Sequence, residues 1–222
     1  MEDQKTLAAR AALKYIRPNT ILGLGTGSTA SIFIRLLAER SQKENLNLTC
    51  VSTSIASTKL AQELGLKVVS LVDIAHIDSA IDGADMVDEK LNLIKGYGGA
   101  LTREKVVDYE AREFIVIVDS SKCKPLEGEV PLEVIPFAIP SVQRSLSKLG
   151  ISSKMRVDEG KPFITDNGNN LLHANMRIEN AEEMEKLLNQ IPGVVENGIF
   201  TKCTRVIIAG ASNIEIKERK RE

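Results

Sequence analysis

Phe114-Ile115-Val116-Ile117-Val118 is an unbroken apolar run followed by polar turn-forming residues, and it constrains the fold more than any other stretch. A strand without polar alternation has both faces covered, as an inner strand of a parallel sheet flanked by helices does. The residues before it repeat the same alternation of strand and helix. Leu7, Ala8, Ala11, Ala12 and Ile16 recur at helical spacing, and Pro18 closes that helix. A short apolar strand over 20–24 turns through Gly25-Thr26-Gly27-Ser28-Thr29 into an amphipathic helix carrying Ile32, Leu36 and Leu37. A second strand over 48–52 ends in Thr53-Ser54-Ile55-Ala56-Ser57-Thr58 and leads to a helix through Leu60 and Leu64. Further strands are expected over 67–71 and 79–81, and a helix over 101–113. The pattern predicts an α/β fold, a Rossmann-like doubly wound parallel sheet with ligands at the C-terminal ends of its strands.

The composition changes after Lys124-Pro125, where Pro131, Pro136 and Pro140 surround a strand expected over 132–135. A helix over 141–149, strands over 154–157, 163–165 and 171–175, a helix over 181–190 and a strand over 194–200 follow. Asn167-Gly168 is a strong hairpin-turn dipeptide. This β-α-β-β-β-α-β series predicts an inserted, smaller, ferredoxin-like α+β domain. A strand over 205–209 then returns to the first sheet. The expected domains are 1–128 with 204–222, and 129–203, with 217–222 read as a solvated tail.

Twenty-nine basic and 30 acidic residues leave a net charge of -1, so no global field favours nucleic acid or an anionic membrane. No apolar run approaches the roughly 20 residues that span a bilayer. A cytoplasmic protein without membrane or nucleic-acid partner is expected. Cys50, Cys123 and Cys203 are too scattered for a disulfide framework or a zinc site, and Cys50 reads as a small buried hydrophobe. The only histidines, His76 and His173, read as structural or surface residues, which leaves little material for a Ser-His or Cys-His device.

Gly23-Leu24-Gly25-Thr26-Gly27-Ser28-Thr29 has neither dinucleotide nor P-loop spacing. Its backbone N–H groups, with Gly27 and the hydroxyls of Thr26, Ser28 and Thr29, suit a phosphate or sugar oxygen at a helix N-terminus. An ordinary helix cap is the plain alternative. Asp82-Gly83-Ala84-Asp85 sets two carboxylates around small residues that let a ligand approach, suited to sugar hydroxyls or proton transfer. A magnesium site including Asp88 and Glu89 is a rival reading, and turn-forming aspartates a plain one. In Lys95-Gly96-Tyr97-Gly98-Gly99-Ala100-Leu101-Thr102-Arg103-Glu104-Lys105, a lysine and a glycine-rich loop precede a glutamate in a first helical turn. Glu104 is there either for the helix dipole, worth about 0.3–1 kcal/mol, or as a general base, with Lys95 to stabilise an oxyanion. Lys122, after Asp119-Ser120-Ser121, is placed for a phosphate or is a surface lysine.

Taken in this order, the strings at 23–29, 52–58, 82–85, 95–105, 119–122, 134–136 and 165–169 resemble the ribose-5-phosphate isomerase family of the A type. The resemblance implies interconversion of D-ribose 5-phosphate and D-ribulose 5-phosphate through a cis-enediolate in the non-oxidative pentose phosphate pathway. It further implies a homodimer or homotetramer, no cofactor and no metal. Carried over by position, Glu104 matches the catalytic base, and Asp82, Asp85 and Lys95 the polar catalytic set. Thr26, Gly27, Ser28, Thr29, Gly83, Ala84, Gly96, Tyr97, Gly98 and Lys122 match substrate-binding positions. Tyr97 stands where the family has glycine, and Met86 where an acidic residue is common. The Tyr97 ring is expected to point away from the ligand or over the mouth of the site, with a positive φ at that position. A sugar-phosphate sensor and a related sugar-phosphate deaminase or CoA transferase are the alternatives. The lack of a helix-turn-helix segment argues against the first and the 95–105 string against the others.

Overall fold

The apolar run at 114–118 lies inside a nine-residue strand, Ala111–Asp119, with its central residues all buried. The computed structural model describes residues 3–219 and divides the chain into two units. The first comprises Met1–Ala84, Arg103–Cys123 and Lys202–Glu222, and the second Asp85–Thr102 and Lys124–Thr201. In chain order the first unit contributes α1 (Gln4–Ala12), β1 (Ile21–Leu24), α2 (Ser28–Glu44), β2 (Thr49–Ser52), α3 (Ile55–Glu63) and β3 (Ile77–Asp82). The second begins with β4 (Met86–Val87) and β5 (Leu93–Ile94). Next comes α4 (Leu101–Glu110), which crosses into the first unit after Thr102, and then β6 (Ala111–Asp119). The second unit resumes with β7 (Glu127–Val134), α5 (Ile139–Lys148), β8 (Ser152–Met155), β9 (Val157–Asp158) and β10 (Lys161–Pro162). It ends with β11 (Asn170–Arg177), α6 (Ala181–Asn189), β12 (Val194–Asn197) and β13 (Ile199–Phe200). The first unit closes with β14 (Arg205–Ala209) and β15 (Ile214–Glu218).

The first unit is built on a six-stranded sheet in the order β15-β14-β6-β3-β1-β2, parallel throughout except for the antiparallel edge strand β15. Alternate residues of each inner strand feed opposite faces. Leu22, Leu24, Ile81, Ile115 and Ile117 pack with Ala8, Ala12, Phe33, Ile34 and Leu37 of α1 and α2. On the other face Val51 and Ala80 pack with Val107 of α4. Phe33, Ile34 and Leu37 are fully buried, which stabilises by roughly 1.5–3 kcal/mol each. The chain runs outward from β1 to β2 and returns on the other side to β3, so the strand order reverses between β1 and β3. In sheets of this kind ligands bind outside the carboxyl ends of the strands, at the point where the order reverses.

The second unit holds a four-stranded antiparallel sheet in the order β12-β7-β11-β8, with α5 and α6 in its connections. This is the strand order of a ferredoxin-like unit. The β9–β10 hairpin is inserted between its second and third strands. A three-stranded sheet, β13-β5-β4, completes the unit.

The observed elements depart from the sequence pattern in instructive places. Only Val68 within 67–71 pairs, in a single bridge to Cys50, because a Ser70–Asp73 capping box turns the chain into a 3₁₀ helix. The helix expected to reach 113 stops at Glu110, since Ala111 and Glu113 already pair with Ile77 and Ser79. The strand over 194–200 is interrupted at Gly198, where a Cβ would lie 2.4 Å from the Lys95 carbonyl oxygen. Around 163–165 only Ile164 bridges, to Asn170. Lys217 and Glu218, read as tail, belong to β15, where Arg205 meets Glu218 at 2.8 Å; residues 220–222 lie outside the described residues. The domain boundaries also shift. Residues 85–102 and 124–128 go with the second unit and 202–203 with the first, because the two-residue strands β4 and β5 leave no periodicity to read.

Candidate active site

In the first unit the turn after β1 is shaped by Asp82 at the end of the neighbouring strand. Asp82 is fully buried, and its Oδ1 accepts the Thr26 N–H (2.9 Å) and the Gly83 N–H (2.6 Å). A side chain at residue 25 is impossible there, since a Cβ would stand 2.1 Å from Asp82 Oδ1. Gly27, just before α2, has φ of 109°, a region that costs glycine little. The Thr26 hydroxyl does not stand apart from the fold as a ligand group. It meets the hydroxyls of Thr53 (2.7 Å), Ser54 (2.8 Å) and Ser57 (3.2 Å). Ser57 in turn donates to the Gly25 carbonyl (2.7 Å), and Ser54 caps α3 through the Ser57 N–H (3.0 Å). The hydroxyl-rich string after β2 therefore braces the glycine turn. Ser28 and Thr29 open α2, and the Ser28 hydroxyl accepts from Lys5 at 3.0 Å.

Glu104 and Lys122 belong to the same unit. Because α4 runs back to the start of β6, its first turn lies at the carboxyl edge of the sheet, and Glu104 sits in that turn, 4% exposed. A carboxylate placed only for the helix dipole would remain in water, whereas burying one is costly and marks a functional candidate. Lys105 and Asp108 of α4 are buried as well. Lys122 ends a single 3₁₀ turn after β6, half-buried, with Asp119 capping that turn through the Ser121 N–H (3.1 Å). Gly83 and Ala84 follow β3 directly.

The second unit carries Asp85, Lys95, Gly96, Tyr97 and Gly98. Lys95 is 2% exposed, with Nζ 5.4 Å from the centre of the Phe200 ring. The glycine-rich loop closes a turn from the Gly99 N–H to the Gly96 carbonyl (2.9 Å), with φ of 102° at Gly96 and 88° at Gly99. Asp85 Oδ2 accepts the Tyr97 N–H (3.1 Å). Tyr97 itself lies outside the positive-φ region, contrary to expectation. Its ring stacks on His173 (6.0 Å between centres) and its hydroxyl donates to the Glu129 carbonyl (2.8 Å). Burial first, and then the charges of Asp85 and Glu129, raise the Tyr97 pKa.

Several ionisable groups have structural duties. Asp88 accepts from the Lys90 N–H, the Asn92 N–H and the Asn92 side chain, an aspartate turn rather than a metal ligand set. Among the described residues no group of three or more His, Cys, Asp and Glu side chains is placed to hold a metal. Burial pushes the Cys50 thiol up to about 12, in keeping with a small hydrophobe. His173 Nδ1 meets Glu129 at 2.8 Å, and His76 meets Asp78 at 3.2 Å. No helix among the described residues is long and apolar enough to cross a membrane.

Two further residues in the second unit escaped the sequence reading. Glu133 is fully buried and accepts from Thr102 (2.6 Å), Thr165 (2.9 Å), Asn167 (3.0 Å) and Asn169 (2.8 Å). These four donors offset its desolvation and tie the start of α4 to the 165–169 turn. Its signal was a lone carboxylate inside the apolar Leu132-Glu133-Val134. Arg156, which donates to the Tyr97 carbonyl at 2.8 Å, had no sequence signal.

The ribose 5-phosphate isomerase A (phosphoriboisomerase A) family pattern matches residues 49–213. Ribose-5-phosphate isomerase A of Methanococcus vannielii is 46% identical over 221 residues, covering 97% of this chain and 92% of that protein. The solved ribose 5-phosphate isomerase A of Methanocaldococcus jannaschii superposes with a TM-score of 0.95 at 42% identity, covering 97% of this chain and 98% of the other. A D-ribose-5-phosphate isomerase structure in complex with phospho-erythronic acid gives 0.94, again at 42% identity and with the same coverage.

Proposed function

This chain belongs to the ribose 5-phosphate isomerase A family, and we propose how its own residues interconvert D-ribose 5-phosphate and D-ribulose 5-phosphate. Glu104 takes the C2 proton of the open-chain aldose, and the electrons of that bond form the C1–C2 double bond of a cis-enediolate. O1 gains a proton, O2 loses one, and Glu104 returns its proton to C1 to give the ketose. Lys95 stabilises the negative charge developing on oxygen. Asp85 and Asp82 assist ring opening and the hydroxyl proton transfer, and Asp82 also holds the 25–27 turn in place. Lys122, with the N-terminal turn of α2 at Gly27, Ser28 and Thr29, binds the phosphate. Holding the phosphate turns binding energy remote from the chemistry into orientation of C1 and C2.

The observation that carries this reading is the burial of Glu104 in the first turn of α4, directly after a glycine-rich loop. We further infer a cytoplasmic homo-oligomer that needs neither metal nor cofactor. The relatives' names and the phospho-erythronic acid complex of one of them favour the isomerase over a sensor or a deaminase. Purified protein should convert D-ribose 5-phosphate to the ketose, before and after exhaustive chelation. No conversion overturns the reading, and activity lost to chelator and restored by a divalent ion restores the magnesium alternative. Sedimentation of the active protein reads its oligomeric state.

A further inference from the structure

The turn at 96–99 is soft by composition, yet its central peptide is held from one side. Tyr97 and Gly98 are the middle residues, and Gly98, like Tyr97, lies outside the positive-φ region. Arg156 Nη1 donates to the Tyr97 carbonyl at 2.8 Å. That guanidinium is already fixed by other contacts. Its Nε and Nη2 donate to the two oxygens of Asp158, both at 3.3 Å, and its Cζ lies 4.0 Å from the centre of the Phe163 ring. Phe163 is tied back through its N–H to the Arg156 carbonyl (3.0 Å), and its ring fills the space beside Gly99, where a Cβ would fall 2.4 Å away.

A trans peptide is planar, with its C=O and the next N–H pointing in opposite directions. Whatever holds the Tyr97 carbonyl therefore aims the Gly98 N–H. The competing state rotates this plane and places Gly98 at positive φ, which glycine adopts without steric cost. Resting on the isomerase reading, we propose that Arg156 is a positioning residue that locks the Tyr97–Gly98 peptide so that the Gly98 N–H faces the sugar oxygen on which negative charge develops, not the phosphate. A lysine cannot replace it, because an ammonium lacks the fixed fork of N–H groups that grips both Asp158 oxygens while another holds the Tyr97 carbonyl.

Tyr97 is the only tyrosine followed by glycine. Labelling tyrosine carbonyls with carbon-13 and glycine amides with nitrogen-15 thus isolates one resonance, that of Gly98. In Arg156→Ala this resonance should shift or broaden, and kcat on D-ribose 5-phosphate should fall at least about tenfold. Inhibition by inorganic phosphate should change less than about twofold, because the phosphate is bound elsewhere on the substrate. Methylguanidinium should restore part of the lost kcat in the alanine variant and none in wild type, a rescue that a merely structural role would not give. Arg156→Lys should resemble the alanine variant, and it carries the test if the latter does not fold. An unmoved Gly98 resonance, or kcat within about twofold of wild type in the folded variants, overturns the proposal. Wild type without activity on D-ribose 5-phosphate sinks the isomerase reading instead, and the Gly98 resonance still judges the lock.

Discussion

The two glycine-rich turns are held by different means. In the first unit, Gly25-Thr26-Gly27 is fixed by groups from the ends of adjacent strands, Asp82 from β3 and Thr53, Ser54 and Ser57 beyond β2. Parallel strands in register deliver those groups to one edge automatically, and Asp82, Thr53, Ser54 and Ser57 are themselves buried. In the second unit, Gly96-Tyr97-Gly98-Gly99 is held by Asp85 at the Tyr97 N–H and by Arg156, Phe163 and His173, which come from a hairpin and a strand far along the chain. These contacts lie nearer the surface, where hydrogen bonds and stacks contribute less. A turn held by its sheet should fail as a whole when one atom is added. A turn held by several partly exposed side chains should lose function in steps.

The largest effect is expected outside both turns. Glu104→Gln keeps shape and burial but removes the base, and kcat should fall about 10²–10⁴-fold with binding of substrate little changed. Near-normal turnover would remove Glu104 from the role of base. Gly25→Ala tests the first turn directly, since the added methyl has nowhere to go beside Asp82. Overpacking of this kind typically costs about 1–3 kcal/mol, so thermal stability and activity should drop together. An unchanged melting temperature would mean that the Asp82 tie is looser than its geometry.

Lys122→Ala should raise KM for D-ribose 5-phosphate about tenfold or more, consistent with the roughly 1.5–3 kcal/mol of a charge-assisted hydrogen bond. The same substitution should leave binding of unphosphorylated ribose unchanged, and the loss should shrink as salt rises. Equal losses for both sugars would take Lys122 out of the phosphate site.

The contrast between the turns also explains what the sequence revealed. The parallel sheet was legible because alternation and strand-to-helix turns are local signals, and Thr26, Asp82 and Lys122 do fall at or just beyond strand ends. The order of the strands, and so the point where it reverses, left no such local mark. The brace from Thr53 to Ser57 appeared only as a hydroxyl-rich string, since its duty depends on a neighbouring strand. Arg156 and Glu133 gave no motif: each acts across more than 30 residues of chain on a partner that pairing alone brings near. The short strands β4 and β5 were invisible for the same reason, and with them the assignment of 85–102 to the second unit.

Tyr97 gives the smallest expected effects and the finest test of the comparison. With φ outside the left-handed region, the residue carries no strain for glycine to relieve. Tyr97→Gly instead loosens the backbone by about 0.5–1 kcal/mol and deletes the stack on His173 and the bond to the Glu129 carbonyl. With Arg156 still on the carbonyl of residue 97, activity should stay within about tenfold, or 1.4 kcal/mol in transition-state energy. A loss beyond about 100-fold would show that one side chain, and not a set of partial ties, holds this turn. Tyr97→Phe isolates the hydroxyl. Because the folded protein raises the Tyr97 pKa, the stability linked to its proton is complete below the ordinary tyrosine value and is lost as pH rises through the higher folded one. Wild type should therefore lose slightly more melting temperature than Tyr97→Phe between about pH 9 and pH 11. Identical losses in the two proteins would mean that the phenol gains nothing from the turn it closes.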